Sequence, residues 1–380
     1  MKYVTYPGTD KKVSVVGFGG LRFAADKTDE ENAKMVLYAY EKGINYFDTA
    51  PGYCDDRSEK TFGIAIRQLL AEGKTNFYVS TKSKPKMCPT REKAIEAVKH
   101  SIEVLGVSKI NFYHVWCIRK MDHYNLSMEK GGQYEGLKWC QEQGLIDHIC
   151  FSSHQPGEEV VQVLDEHKFM GVTMGINLLN FPYRWAGVEH AYKEGYGVVA
   201  MNPLCGGTIP AHEKELAFLA EPGETVTQAA LRFNIASPEI TISLVGFGKM
   251  SDIDDACRMA DEAKPFTKED LDRIKKKFNG ATKEICTGCG YCRVCPKGIN
   301  IPGYMLLYNE KEMFHKTDEE MIEMVYGLEY YNYTANTKGR AKDCIHCGKC
   351  EQECTQHLGI IKRLEAVARW ESQTTDTVTV

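Results

Sequence analysis

The chain has 380 residues, 43% hydrophobic and 26% charged, ordinary values for a globular protein that exclude disordered and fibrous classes. A net charge of −5 offers no electrostatic case for a nucleic-acid partner, and no stretch approaches the ~20 apolar residues of a membrane-spanning helix. The opening MKYVTYPGTDKK lacks the apolar core of a secretory signal, so the expected location is cytoplasmic, where 15 cysteines point to metal or redox chemistry rather than a disulfide framework.

Residues Lys2–Tyr6 and Lys12–Val16 flank the turn signal Pro7-Gly8-Thr9-Asp10 and predict a hairpin closing the bottom of whatever follows. Eight β-branched or aromatic runs come next: Val13–Phe18, Ile44–Thr49, Asn76–Thr81, Ile110–Trp116, Ile146–Ser152, Val172–Asn177, Gly197–Met201 and Thr241–Val245. Each is followed by a helical pattern, such as Asp29–Glu41, Ser58–Ala71, Thr90–Leu105 or Gly157–His167. Such alternation predicts an α/β fold, a (β/α)8 TIM barrel, with its reaction site at the C-terminal ends of the strands. A doubly wound dinucleotide fold fits less well, because Gly17-Phe18-Gly19-Gly20 lacks the third glycine and opens no immediate helix. The expected domains are the barrel over 1–265, a linking helix within 266–283 (Thr267–Phe278, with Thr267 as N-cap), a small, mostly helical domain over 284–371 and a flexible tail over 372–380.

Seven cysteines are scattered, as small buried hydrophobes are. The other eight fall in two runs, Cys286-x2-Cys289-x2-Cys292-x2-Cys295-Pro296 and Cys344-x2-Cys347-x2-Cys350-x3-Cys354. Zinc ribbons use two separated CxxC pairs, whereas each run here offers CxxCxxC, the spacing that wraps one corner of a cubane. The region resembles a helical two-cluster ferredoxin, with an insert holding the helical pattern Asp318–Tyr330. In such ferredoxins the displaced fourth cysteine serves the other cluster. The resemblance therefore implies two [4Fe-4S] clusters, one on Cys286, Cys289, Cys292 and Cys354, the other on Cys344, Cys347, Cys350 and Cys295. Two departures leave the ligands intact: one residue fewer precedes Cys295, and Thr355 follows Cys354 in place of proline.

The barrel region resembles the aldo-keto reductase family, in its iron–sulfur branch. Val13-Ser14-x2-Gly17-Phe18-Gly19 is similar to the family's opening strand, and Asn45-Tyr46-Phe47-Asp48-Thr49-Ala50-x2-Tyr53 to the motif supplying a catalytic Asp and Tyr. Thr81-Lys82 is similar to the strand end carrying the catalytic Lys, and the block Val198 to Gly207 also matches. The resemblance implies a Tyr53 proton donor whose hydroxyl is made a usable acid by Lys82, with Asp48 holding Lys82 charged.

Three departures bear on the cofactor. Trp116 stands where the family has His, and His114 lies two residues earlier on the same strand face, a candidate for catalysis or substrate orientation or else a core histidine beneath Trp116. Ser152 matches one residue of the family's nicotinamide-binding Ser-Asn pair, but Ser153 replaces the Asn, His154 follows as a candidate pocket residue, and Gly175 replaces the Gln. After the eighth strand, Asp252 falls where an Arg would meet a 2′-phosphate, leaving Lys249 as the nearby cation. Arg22 resembles a family Met-Arg segment and is a candidate for binding a substrate carboxylate or phosphate, or for a salt bridge. Cys54 and Cys117, next to Tyr53 and Trp116, read as inert thiols.

Two enzymatic readings follow, with a third outside enzymes. The first is a reductase of carbonyls or related small molecules that draws hydride from NAD(P)H, with NADPH selectivity in doubt. The second is fed through the clusters without nicotinamide, and the third is a non-catalytic electron-transfer protein with a degenerate barrel. Because hydride carries two electrons and each cluster one, a flavin or a redox partner protein (a ferredoxin or flavoprotein) is not excluded, and exposed clusters suggest an anaerobe.

Overall fold

The computed structural model describes residues 1–277, 284–326, 333–334 and 337–373. They form two compact units, Met1–Leu204 with Ile209–Lys268, and Cys205–Thr208 with Glu269 onward.

The first unit opens with β1 (Tyr3–Thr5) and β2 (Lys12–Ser14), which pair antiparallel with Tyr3 opposite Ser14. The predicted first barrel strand is split. Val13 and Ser14 belong to this hairpin, and β3 begins at Val16 (Val16–Gly19). There follow β4 (Tyr46–Asp48), β5 (Tyr78–Ser83), β6 (Ile110–Ile118), β7 (Ile146–Ser153), β8 (Gly171–Gly175), β9 (Gly197–Met201) and β10 (Ile242–Val245). These eight parallel strands close in the order β10-β3-β4-β5-β6-β7-β8-β9, the predicted barrel. Tyr6, at the hairpin's end, is fully buried in a cluster with Val13, Tyr46, Phe112, Cys150 and Val199. Gly171 and Gly197, the first residues of β8 and β9, make room for it, because a Cβ at either would collide with the Tyr6 side chain. The hairpin thus seals the N-terminal end of the barrel.

Around the strands run α1 (Asp29–Glu41), α2 (Ser58–Ala71), α3 (Arg91–Leu105), α4 (Met121–Ser127), α5 (Gln133–Glu142), α6 (Gly157–Leu164), α7 (Phe181–Lys193), α8 (Thr208–Ala211, a single turn), α9 (Val226–Ala236) and α10 (Met250–Glu262). Helix starts follow side-chain capping: Thr28 and Glu31 form a reciprocal capping box on α1, and Thr90 caps α3.

The second unit holds α11 (Lys268–Lys277), α12 (Ile301–Phe314), α13 (Asp318–Tyr326) and the helices Lys349–Gln352 and Ile360–Gln373. Its core joins Ile301, Tyr304 and Leu307 to Met321 and to Leu364, Val367 and Trp370. The last helix takes in Ser372 and Gln373, which the polar composition places in the tail. Residues 278–283, 327–330 of the expected helix Asp318–Tyr330, and 374–380 lie outside the described residues.

Candidate active site

Adjacent parallel strands set Asp48 of β4 opposite Ser80 of β5, and Lys82 of β5 opposite His114 of β6. Since residues two apart share a face, Ser80 and Lys82 both point inward. Lys82 Nζ donates to Asp48 Oδ1 at 2.6 Å and Ser80 Oγ to Asp48 Oδ2 at 2.7 Å, with the Lys82 and Asp48 side chains only 4% and 6% exposed. Burial pushes the Lys82 ammonium toward deprotonation, but Asp48 and Tyr53 together outweigh it, so Lys82 stays charged above its ordinary range.

Tyr53 follows β4, and Lys82 Nζ lies 5.0 Å from its ring centre. Burial pushes the phenol up and Lys82 pulls it back, which leaves a protonated hydroxyl beside a fixed cation. Behind Tyr53 come three successive left-handed residues without glycine, Cys54, Asp55 and Asp56, at φ 53°, 56° and 63°. Asp56 holds the loop by accepting from the Gly52 N–H at 2.6 Å. Strain of this kind persists where surrounding contacts over-determine it.

Trp116 meets Tyr53 edge-to-face at 5.6 Å. The strand slips its register between Val115 and Ile118, with Cys117 at φ 70°, a bulge that re-aims the end of β6 into the mouth. His114 lies deeper and is 1% exposed. Its Nε2 is 3.0 Å from Thr173 Oγ1, and its Nδ1 is 3.4 Å from both Ser80 Oγ and the Thr81 carbonyl. Burial lowers it to about 4, so it is neutral. It reaches the site through Ser80, in a buried polar chain Lys82–Asp48–Ser80–His114–Thr173. The sequence did not single out Ser80 and Thr173; the one signal for Ser80 was its place two residues before Lys82.

The residues expected to hold nicotinamide are engaged with their own chain. Ser152 Oγ accepts from the Cys117 N–H at 2.9 Å, while Ser153 Oγ is bonded to the Gln155 side chain and accepts its N–H at 3.0 Å. The volume a side chain at Gly175 would need is filled: a Cβ there would come within 2.6 Å of His154 Nδ1 and 2.7 Å of an Arg184 nitrogen. Arg184, fully buried and unmarked by any motif, donates to the Gly175 and His154 carbonyls. Burial and the Arg184 and Arg119 charges push His154 down to about 3. At the start of α10, Asp252 Oδ2 accepts the N–H groups of Gly248 and Lys249 at 3.1 and 3.2 Å, and the Lys249 side chain is 74% exposed. Arg22 lays its stem against Gly246, where a Cβ would meet Arg22 Cγ at 2.6 Å.

None of the fifteen cysteines forms a disulfide, the eight clustered ones included. Cys286 is pushed up by burial and by the neighbouring Cys289, Cys292 and Cys354, and Cys350 is raised to about 11 by burial, with Glu351 and Cys344 adding to it. Buried thiols crowded in this way need a cation among them to ionise. Backbone N–H groups already face the sulfurs, Gly288 to Cys286 Sγ at 3.4 Å and Leu358 to Cys354 Sγ at 3.5 Å. The Asn309 amide clamps the Cys286 backbone on both sides, at 2.7 and 2.8 Å. This donor set fits iron–sulfur ligation. Among the described residues no three such donors converge closely enough to hold a single metal ion.

The sequence pattern of the aldo/keto reductase family matches residues 15–279, and that of the 4Fe-4S dicluster domain matches residues 285–358. The chain belongs to the aldo/keto reductase family. Among its relatives, L-galactose dehydrogenase of Arabidopsis thaliana is 24% identical over 276 residues, spanning 65% of this chain and 84% of the relative. An uncharacterized oxidoreductase of Bacillus subtilis is 23% identical over 300 residues, 70% of this chain and 93% of the relative. Two solved structures share the fold: an aldo-keto reductase of Bacillus halodurans (TM-score 0.59, 21% identity, 73% and 96% covered) and one of Bombyx mori in complex with NADP (TM-score 0.58, 19% identity, 72% and 92% covered). This aldo-keto reductase is an oxidoreductase carrying a 4Fe-4S domain.

Proposed function

We propose that the protein reduces the carbonyl of a small molecule, with Tyr53 as proton donor. The observation that carries this reading is the buried Lys82–Asp48 pair at 2.6 Å with its ammonium against the Tyr53 ring. When Tyr53 gives its proton to the carbonyl oxygen, the phenolate left behind faces a cation already in place, so little reorganisation is needed. Asp48 keeps that cation charged, and Ser80 fixes the second carboxylate oxygen. His114, neutral and sequestered beneath Trp116, serves as a positioning residue for Ser80. A reduced nicotinamide, if held at the barrel mouth, would supply the hydride that with the Tyr53 proton would turn the carbonyl into an alcohol. Tyr53→Phe removes the proton donor and lowers carbonyl reduction by about 100-fold or more; turnover unchanged in that variant removes Tyr53 from the mechanism.

A second reading, in which electrons arrive singly from the clusters and no nicotinamide is used, is favoured by Gly175, whose side-chain volume is taken by His154 and Arg184. Anaerobic titration with NADH and then NADPH separates the two: cluster bleaching by either supports the first, and reduction by a low-potential one-electron donor alone supports the second. We assign two [4Fe-4S] clusters, on Cys286, Cys289, Cys292 and Cys354 and on Cys344, Cys347, Cys350 and Cys295. The assignment is supported by the spacing and by the mutual influence of Cys286 with Cys289, Cys292 and Cys354. A ferredoxin, a flavoprotein or a bound flavin would couple one- and two-electron steps.

A further inference from the structure

The loops after β5 and β6 are basic. Residues 83–90 read Ser-Lys-Pro-Lys-Met-Cys-Pro-Thr, two lysines without an acid, and Arg119-Lys120 follow β6 directly. Both loops are held in place. Met87 and Cys88 donate backbone N–H groups to the Lys84 carbonyl at 3.0 and 3.1 Å, and the His123 Nδ1 lies 3.3 Å from the Cys117 carbonyl. Lys84 Nζ stands 4.4 Å from the centre of the Trp116 ring, the same ring that meets Tyr53. His123, between the loops, is lowered by burial and, among charged side chains, by Arg119, Lys120 and Lys86. Among the described residues Lys84, Lys86 and Lys120 have no carboxylate in ion-pair contact. Asp122, in the first turn of α4, sits where the helix N-terminus favours it.

We infer that the substrate carries an oxyanion group, a carboxylate or phosphate monoester, which Lys84 and Lys86 receive over the Trp116 ring while its carbonyl faces Tyr53. The inference rests on the carbonyl-reducing reading of the same site. Ammonium groups with no carboxylate partner beside an aromatic ring raise the local concentration of anions, and Lys84, 4.4 Å from the Trp116 ring centre, sets how far from Tyr53 the charged end lies. A molecule with a carbonyl at one end and an anion at the other spans the site; a neutral carbonyl compound leaves the rim unused.

The test is calorimetric binding to the full-length protein of three probes of one shape: 4-formylbenzoate, 4-formylphenyl phosphate and neutral 4-formylbenzamide. One or both anions are expected to bind about tenfold more tightly than the amide. That preference shrinks at high salt and disappears in the K84M/K86M variant, whose two side chains are exposed. The anion that keeps its advantage identifies the headgroup. Equal binding of charged and neutral probes, or a preference that survives K84M/K86M, overturns the inference alone. Failure of all three to bind overturns the carbonyl reading, and the inference with it.

Discussion

Replacing Lys82 by Met is the sharpest perturbation of the site. The two charges are almost fully removed from water, at 4% and 6% exposure, and in contact at 2.6 Å. Without the ammonium, Asp48 is a buried carboxylate that keeps the hydrogen bond from Ser80 Oγ. Removing one partner of a buried pair costs ~3–5 kcal/mol, whereas replacing both with neutral groups is often close to neutral. Lys82→Met is therefore expected to lower the unfolding midpoint by roughly 10 °C for a unit of this size, and D48N/K82M to recover most of that loss. Fluorescence follows the right unit, because Trp116, Trp139 and Trp185 lie in the barrel and only Trp370 outside it. Neither variant should regain carbonyl reduction, since both lack the cation beside Tyr53. A Lys82→Met protein within ~1 kcal/mol of the parent, or a double variant as unstable as the single one, would refute the reasoning.

Two further outcomes follow from the same geometry. His114 is lowered to about 4 by burial, below its unfolded value near 6.5. The unfolded chain therefore takes up the proton first, and stability contributed by this residue is lost as pH falls from about 6.5 toward 4, at up to ~1.4 kcal/mol per pH unit. His114→Asn, which cannot titrate, should flatten the dependence of the urea midpoint on pH in that window; an unchanged slope sinks the assignment of His114 as buried and neutral. Cys289→Ala should lose about half the iron while the barrel's tryptophan emission stays native; full iron retention would show that Cys289 is not a ligand.

What the sequence made legible was whatever a local pattern encodes. Strand-and-helix alternation pointed to the barrel, cysteine spacing to the iron–sulfur unit, and the resemblance to aldo-keto reductase motifs around Asp48, Tyr53 and Lys82 to the residues proposed for the site. The unread parts depend on contacts between distant segments. Nothing local says that Arg184, on a helix, fills the space beside Gly175 on a strand, or that Asp252 turns back onto the N–H groups of its own helix start. The Cys117 bulge and the left-handed run Cys54–Asp56 lack the glycines that usually announce such conformations, so they escape a reading based on turn residues. The first barrel strand was misplaced because Val13 to Phe18 is one apolar run, while the chain changes partners between Ser14 and Val16.

The seal formed by Tyr6 has a consequence for the order of events in folding. Its side chain occupies space left by Gly171 and Gly197 and packs on Phe112 at 4.4 Å, so a segment that precedes every strand of the barrel finds its place only after more than half of the barrel has been synthesised. Contacts so distant in sequence form late and slowly. Until β8 and β9 are in place, the hairpin has no socket, and the apolar foot of the barrel stays open to water and to other chains. The stage at which this protein is most exposed to misassembly is thus set at the end opposite its chemistry.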